Sequence, residues 1–162
     1  MKLHAFTFTL ALLATPAFAE KAKVAIFDFE LIDTSLEGEL AGPKSAEQAR
    51  LATLAVTLRQ KLGASDRYIV VDTAPVAAAA HAQNLQACGQ CDAKLAREVG
   101  ADLAMTGTVQ KVSNLILNIN IYIRDAKSGT VVDAMSADIR GNTDESWSHG
   151  LNWLVRNKLL AP

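Results

Sequence analysis

The sequence predicts a mixed α/β (α+β) fold, a five-stranded sheet that ends in a three-strand antiparallel meander and is packed by about four helices. Three patterns carry this. Residues 115–124 alternate strictly, with Leu115, Leu117, Ile119, Ile121 and Ile123 on one face and Ile116, Asn118, Asn120, Tyr122 and Arg124 on the other. Leu51, Leu54, Ala55, Leu58 and Leu62 recur at helical spacing. Residues 23–31 form an apolar opening far upstream of the meander, so the first strand and the meander are joined through helices.

Taken in order, residues 23–31 read as the first strand, with Phe27 and Phe29 expected on one core-facing side and Asp28 and Glu30 on the other. Residues 32–43 carry Asp33, Thr34, Ser35, Gly38 and Gly42 without periodicity and read as a long loop. Ser45 and Gln48 have capping-box spacing ahead of an amphipathic helix closed by Gly63. Residues 68–71 suit a short second strand, and the alanine-rich residues 76–85 favour a helix behind Pro75. Residues 92–99 make a short helix closed by Gly100. Residues 103–109 form the third strand and residues 115–124 the fourth. The turn 125–129 then leads into a fifth strand at 130–139, with Gly129 supplying a positive φ. Asn142 with Glu145 is expected to cap a last helix lined by Trp147, Leu151, Leu154 and Val155.

Composition narrows the function classes. The 162 residues are 50% apolar and 20% charged, and 16 basic residues nearly balance 17 acidic ones, for a formal charge of -1. That leaves no basic field for nucleic acid or an anionic membrane surface. Residues 1–19 carry Lys2, an apolar run too short to span a bilayer, and the small-x-small triplet Ala17-Phe18-Ala19. They read as a cleaved secretory signal ahead of one globular domain at 20–162, a soluble protein of a bacterial periplasm without stable membrane insertion.

Several stretches together resemble a known group of envelope domains. They are Val24-Ala25-Ile26-Phe27-Asp28-Phe29, the cysteine-containing lead into residues 96–109, and residues 120–132. The pattern is similar to the N-terminal domain of TolB and is shared by the curli secretion protein CsgG and the periplasmic activators of penicillin-binding proteins. It resembles most a family of small exported bacterial proteins described only as of unknown function, which ends in a stretch like residues 140–147. The resemblance implies a TolB-N-like fold and a non-catalytic accessory or adaptor role through protein–protein contact. The partner it implies is an envelope protein, with a second copy of the chain also admitted. An association of the resembled family with periplasmic quinoprotein alcohol oxidation implies an accessory role there. Unlike TolB, the chain is expected to carry no β-propeller after the domain; unlike CsgG, no lipidated cysteine or membrane strands; and unlike the activators, no lipid anchor or long disordered tether.

Cys88 and Cys91 are the only cysteines. In an oxidising compartment they are expected to pair as a short staple that pins local geometry. The alternative is a periplasmic thiol-disulfide oxidoreductase using the same pair, since a cysteine at a helix start has a stabilised thiolate. Against it, about 16 residues separate the motif from the preceding strand, whereas thioredoxin places it directly after one. A metal site of Cys88, Cys91 and His81 lacks a fourth ligand, and no cofactor is expected. Asp144, Ser146, Ser148 and His149 crowd one helix start without a nucleophile elbow. Asp28, Glu30, Asp33, Glu37 and Glu39 form an acidic stretch that fails the EF-hand template. Trp147 and Trp153 lie six residues apart, about 120° in rotation. Trp147 is therefore expected in the core and Trp153 partly exposed, a candidate partner anchor. Asn118, Asn120, Tyr122 and Arg124 supply a polar sheet face as the second candidate surface.

Overall fold

The computed structural model describes residues 20–161, so the expected signal segment lies outside the described residues. Five strands, β1 (Ala22–Asp33), β2 (Tyr68–Val71), β3 (Leu103–Ser113), β4 (Ile116–Asp125) and β5 (Val131–Ile139), form one sheet in the order β2-β1-β3-β4-β5. β1 pairs in parallel with both β2 and β3, and β3-β4-β5 is an antiparallel meander. The helices are α1 (Leu36–Ala41), α2 (Ser45–Gly63), α3 (Ala77–His81), α4 (Cys91–Glu98) and α5 (Asp144–Leu154). The expected mixed sheet and terminal meander are present, with one more helix than foreseen.

The two sheet faces are covered unequally. On the first, α2 and α5 lay Leu51, Leu54, Leu58, Leu62, Trp147, Leu151 and Leu154 against Val24, Ile26, Phe29, Met105, Val109, Ile119 and Ile121. On the second, α3 and α4 cover only the β1–β3 side, with a smaller core of Phe27, Val76, Leu85, Leu95, Ala96 and Ala104. Burying a leucine-sized side chain contributes roughly 1.5–3 kcal/mol, so the first face supplies most of the cohesion.

Phe27 and Phe29 were expected side by side but pack into opposite cores. The β1–β3 register slips between Ile26 and Phe29, where three residues of β1 match two of β3, from Ile26↔Met105 to Phe29↔Gly107. This β-bulge inverts the alternation, and Asp28 is the extra residue. The Phe29 ring then lies directly on Gly107, where an added Cβ would fall 2.3 Å from it.

Other boundaries also differ from expectation. Residues 32–43 are not one long loop: Ile32 and Asp33 extend β1, and Ser35 caps α1 by accepting a hydrogen bond from Gly38 N. Ser45 is the first residue of α2, not its cap; Lys44 holds that position without a side-chain bond, and the helix runs through Gly63 to a cap at Ala64. The alanine-rich stretch makes only a 3₁₀ turn (Ala74–Val76) and the five-residue α3. Thr143, not Asn142, caps α5, accepting from Ser146 N. Gly129 adopts φ 73°, as the β4–β5 turn requires.

Gly107→Ala would force the Phe29 ring out of its seat, a cost of about 1–3 kcal/mol. We expect a lower urea midpoint at unchanged m-value, partly restored by adding Phe29→Leu; an unchanged midpoint would show that the ring has room to move.

Candidate functional site

The polar face foreseen on β4 exists and is broader than the sequence shows. Register places Thr106, Tyr122 and Ala134 in one cross-strand row, Thr108, Asn120 and Ser136 in the next, and Gln110, Asn118 and Asp138 in a third. This array occupies the half of the second face beyond α3 and α4. Asn120 donates to Asn118 Oδ1 at 2.9 Å and to Thr108 Oγ1 at 3.4 Å, and Gln86 donates to Thr106 Oγ1 at 2.7 Å. The array is thus an ordered hydrogen-bonded layer in which Thr106 and Thr108 are buried, while Ala134, Ser136 and Asp138 are open to solvent at the sheet edge.

Arg124 stands in the next row of the same face, opposite Ala104 and Val131, and its side chain is engaged with α4 and the β4–β5 turn. Its guanidinium donates to Asp92 Oδ2 at 2.9 Å and to Gly129 O at 2.7 Å, tying α4 to the meander. Asp92 is almost wholly buried, so the pair fixes α4 in place. Trp147 is in the core, as expected, while Trp153 is 38% exposed. Trp153 lies on the helix-covered side of the sheet, opposite Tyr122, Asn118 and Asn120. It borders a hollow of about 270 Å³ that also takes in His149, Ser136 and Asp138 and so reaches round the β5 edge. Lys158 lies over its ring, 6.0 Å from the centroid.

Cys88 and Cys91 are joined in a disulfide. Both are half-buried against the smaller core, and Cys91 opens α4. Gln90 between them holds a left-handed φ of 79°, a conformation that the short covalent loop keeps in place.

The acidic stretch disperses. Asp28 meets Arg59 at 2.7 Å and His81 at 2.9 Å. Partial burial would raise its pKa, but hydrogen bonds from His81 and Arg59 hold the carboxyl below its ordinary range. Glu30 accepts from Leu85 N. Asp33 and Glu37 turn instead to Lys111, whose Nζ lies 3.0 Å from Asp33, 3.4 Å from Glu37 and 2.8 Å from Glu47. Lys111 is 1% exposed. Burial alone would lower its pKa, yet the hydrogen bonds it donates to Glu47 and Asp33 push it above the usual lysine value. Glu37, bonded by Lys44, Asn114 and Lys111, is lowered to about 2. Asn142 joins the cluster by donating to Glu47 Oε1 at 2.7 Å. Sequence reasoning missed Lys111, because nothing in the order Gln110-Lys111-Val112 marks a lysine as buried. Among the described residues, no group of three or more His, Cys, Asp or Glu is placed to hold a metal, and no helix is long and apolar enough to cross a membrane.

A mixed five-stranded sheet with helices on both faces is an α+β fold that recurs in solved structures of bacterial proteins. The C-terminal domain of LpoB from Escherichia coli aligns over 77% of this chain and 87% of its own, with a TM-score of 0.55 at 12% identity. Lipoprotein GNA1162 of Neisseria meningitidis aligns over 83% and 91%, with a TM-score of 0.51 at 20% identity. PelC from Paraburkholderia phytofirmans, solved as a dodecamer, aligns over 88% and 91%, with a TM-score of 0.50 at 15% identity. Such identities establish a shared fold. No curated protein sequence matches the chain. The chain belongs to the DUF3280 family, described as "Protein of unknown function (DUF2380)", which it matches over residues 22–159.

Removing the ammonium by Lys111→Met leaves Glu47 buried without its cation, at a cost of about 3–5 kcal/mol. We expect a large fall in the thermal midpoint, partly recovered by adding Glu47→Gln. The lowered carboxylates Asp33 and Glu37 contribute stability that is complete above their unfolded pKa values and lost as pH falls toward about 2. The raised Lys111 contributes stability that is complete up to its unfolded value near 10.5 and lost only above it. Lys111→Met should therefore flatten the acid limb of a stability–pH curve; an unaltered limb would remove Lys111 from the balance.

Proposed function

We propose that this chain is a non-catalytic accessory or adaptor protein of the bacterial periplasm, exported by cleavage after Ala19 and acting through protein–protein contact. One observation carries the reading. The ordered face bearing Asn118, Asn120 and Tyr122 is left uncovered by the helices, and it continues round the β5 edge to Trp153. Half-buried aromatics beside a rigid polar surface are what interface anchors look like. The kinship in fold with LpoB, GNA1162 and PelC supports the same reading, and the dodecamer recorded for PelC makes a second copy of this chain one candidate partner. Arg124 serves this surface indirectly, by holding the β4–β5 turn against α4. The finer assignment is an accessory to periplasmic quinoprotein alcohol oxidation, for which the supporting observation is the family resemblance.

Crosslinking of the tagged protein in cells, with mass spectrometry of what is captured, tests these readings together. We expect one discrete envelope partner, lost or weakened at least tenfold by Trp153→Ala or Tyr122→Ala and retained by Cys88→Ser. A quinoprotein dehydrogenase as that partner would establish the finer assignment, and a different partner would replace it. Many proteins trapped through Cys91 in the Cys88→Ser variant would instead establish thiol-disulfide exchange and overturn the adaptor. N-terminal sequencing of the mature protein should begin at Glu20; an intact Met1 would refute export by cleavage.

A further inference from the structure

Among the described residues β2 pairs with β1 only from Ala22 to Ala25, and beyond that point no strand lies on this side of β1. The direction of the backbone groups follows from the register. Thr34 N donates to Lys111 O on β3, and the register runs without a slip from Phe29↔Gly107 to Asp33↔Lys111. Because backbone groups alternate sides along a strand, Glu30 and Ile32 also turn toward β3, whereas Phe29 and Leu31 turn their N–H and C=O groups to the unpaired side. Upstream of the slip the alternation is anchored by Ala22 N, which donates to Arg67 O on the β2 side, so Ile26 O also faces outward, and there the Arg59 guanidinium caps it at 3.0 and 2.7 Å. Arg59 thus stands where a longer β2 would have bonded, and the next outward-facing residues along the edge, Phe29 and Leu31, line an open groove.

That groove has a volume of about 650 Å³. One wall is α2, which presents Leu51, Ala52 and the half-exposed Val56. The other is the end of α3 and residues 83–85, held to the strand because Glu30 accepts from Leu85 N at 3.0 Å. The floor is the edge of β1 itself. The free stretch from Asp28 to Ile32 accommodates an extended segment of about five residues.

We infer that this groove is a docking slot for an extended polypeptide segment of a partner protein, which adds a strand to the free edge of β1. The occupant is set by chemistry on both of its sides. Two outward N–H groups and two outward C=O groups, from residues two apart, are matched by another strand backbone and by little else. Alternate side chains of the segment would face the apolar α2 wall and the polar wall of Gln83 and Asn84, so an alternating apolar–polar sequence fits. Asp28 and Glu30 are already engaged with Arg59, His81 and Leu85 N, so the slot demands no charged residue. This surface stands on different residues from the Tyr122–Trp153 face, and the two readings fail separately.

The test uses a phage-displayed heptapeptide library against the purified protein. Selected peptides should alternate apolar and polar residues, and one of them, synthesised, should slow hydrogen exchange at the Phe29 and Leu31 amides at least tenfold. Val56→Arg, which places charge and bulk on the exposed α2 wall, should weaken that peptide at least tenfold, while Val132→Arg on exposed β5 leaves it unchanged. N-methylation of the peptide residues that face β1 should abolish binding. Failure to select any peptide, or binding that leaves both amides unprotected or ignores Val56→Arg, overturns the slot. The adaptor reading then stands or falls on the Trp153 and Tyr122 variants alone.

Discussion

A lysine ammonium withdrawn from water near the end of β3 ties the ends of four elements to one point. Lys111 gathers Asp33 from the end of β1, Glu37 from α1 and Glu47 from the first turn of α2. Through Asn142 the same cluster reaches the segment leading into α5, and through Asn114 it reaches the β3–β4 turn. An isolated buried ammonium would be driven to lose its proton, and three carboxylates crowded without it would repel one another. Each group is tolerable only because the others are present. The cluster therefore acts as a register mark: a strand slipped by one residue would point Lys111 to the opposite face and leave the carboxylates unmatched.

The bulge at Asp28 answers a different constraint. β1 is central and buried on both faces over its first half, yet its second half must send Asp33 to the side where α1 and α2 wait. One extra residue inverts the phase between the two halves. Phe27 thereby fills the smaller core while Phe29 closes over Gly107 in the larger one. The bulged residue is secured on both sides by Arg59 of α2 and His81 of α3, so an irregularity in the ladder also fastens the two helical layers together.

What the sequence made legible follows from periodicity. β4 alternates because one face is core and the other polar, and α2 shows its stripe because it spans many turns over a flat apolar surface. The bulge was illegible because Phe27-Asp28-Phe29-Glu30 alternates in sequence just as an unbroken strand would. α1 was illegible because its apolar side chains, Leu36 and Leu40, stay in solvent and none of its residues is buried. A short helix held by a Ser35 cap and an acidic network leaves no hydrophobic imprint. The candidate surface was half legible: Asn118, Asn120, Tyr122 and Trp153 announce themselves, but their neighbours Thr108, Ser136 and Asp138 emerge only once register is known. Lys111 was wholly hidden, since its partners lie 64 to 78 positions away in the chain.

The corner formed by Ser65, Asp66 and Arg67 gathers both ends of the described chain. Lys21 Nζ bonds Ser65 O and Asp66, Ala22 N bonds Arg67 O, and the Arg67 guanidinium holds the carbonyls of Leu159 and Ala161. Anything attached before Glu20 or after Ala161 thus departs from one place, at the opposite end of β1 from the Lys111 cluster, about 35 Å away along an extended strand. A chain held at either terminus would hang with the β3–β4 turn outermost and both long flanks of the sheet clear of its support. Both attachments would present the domain in the same orientation.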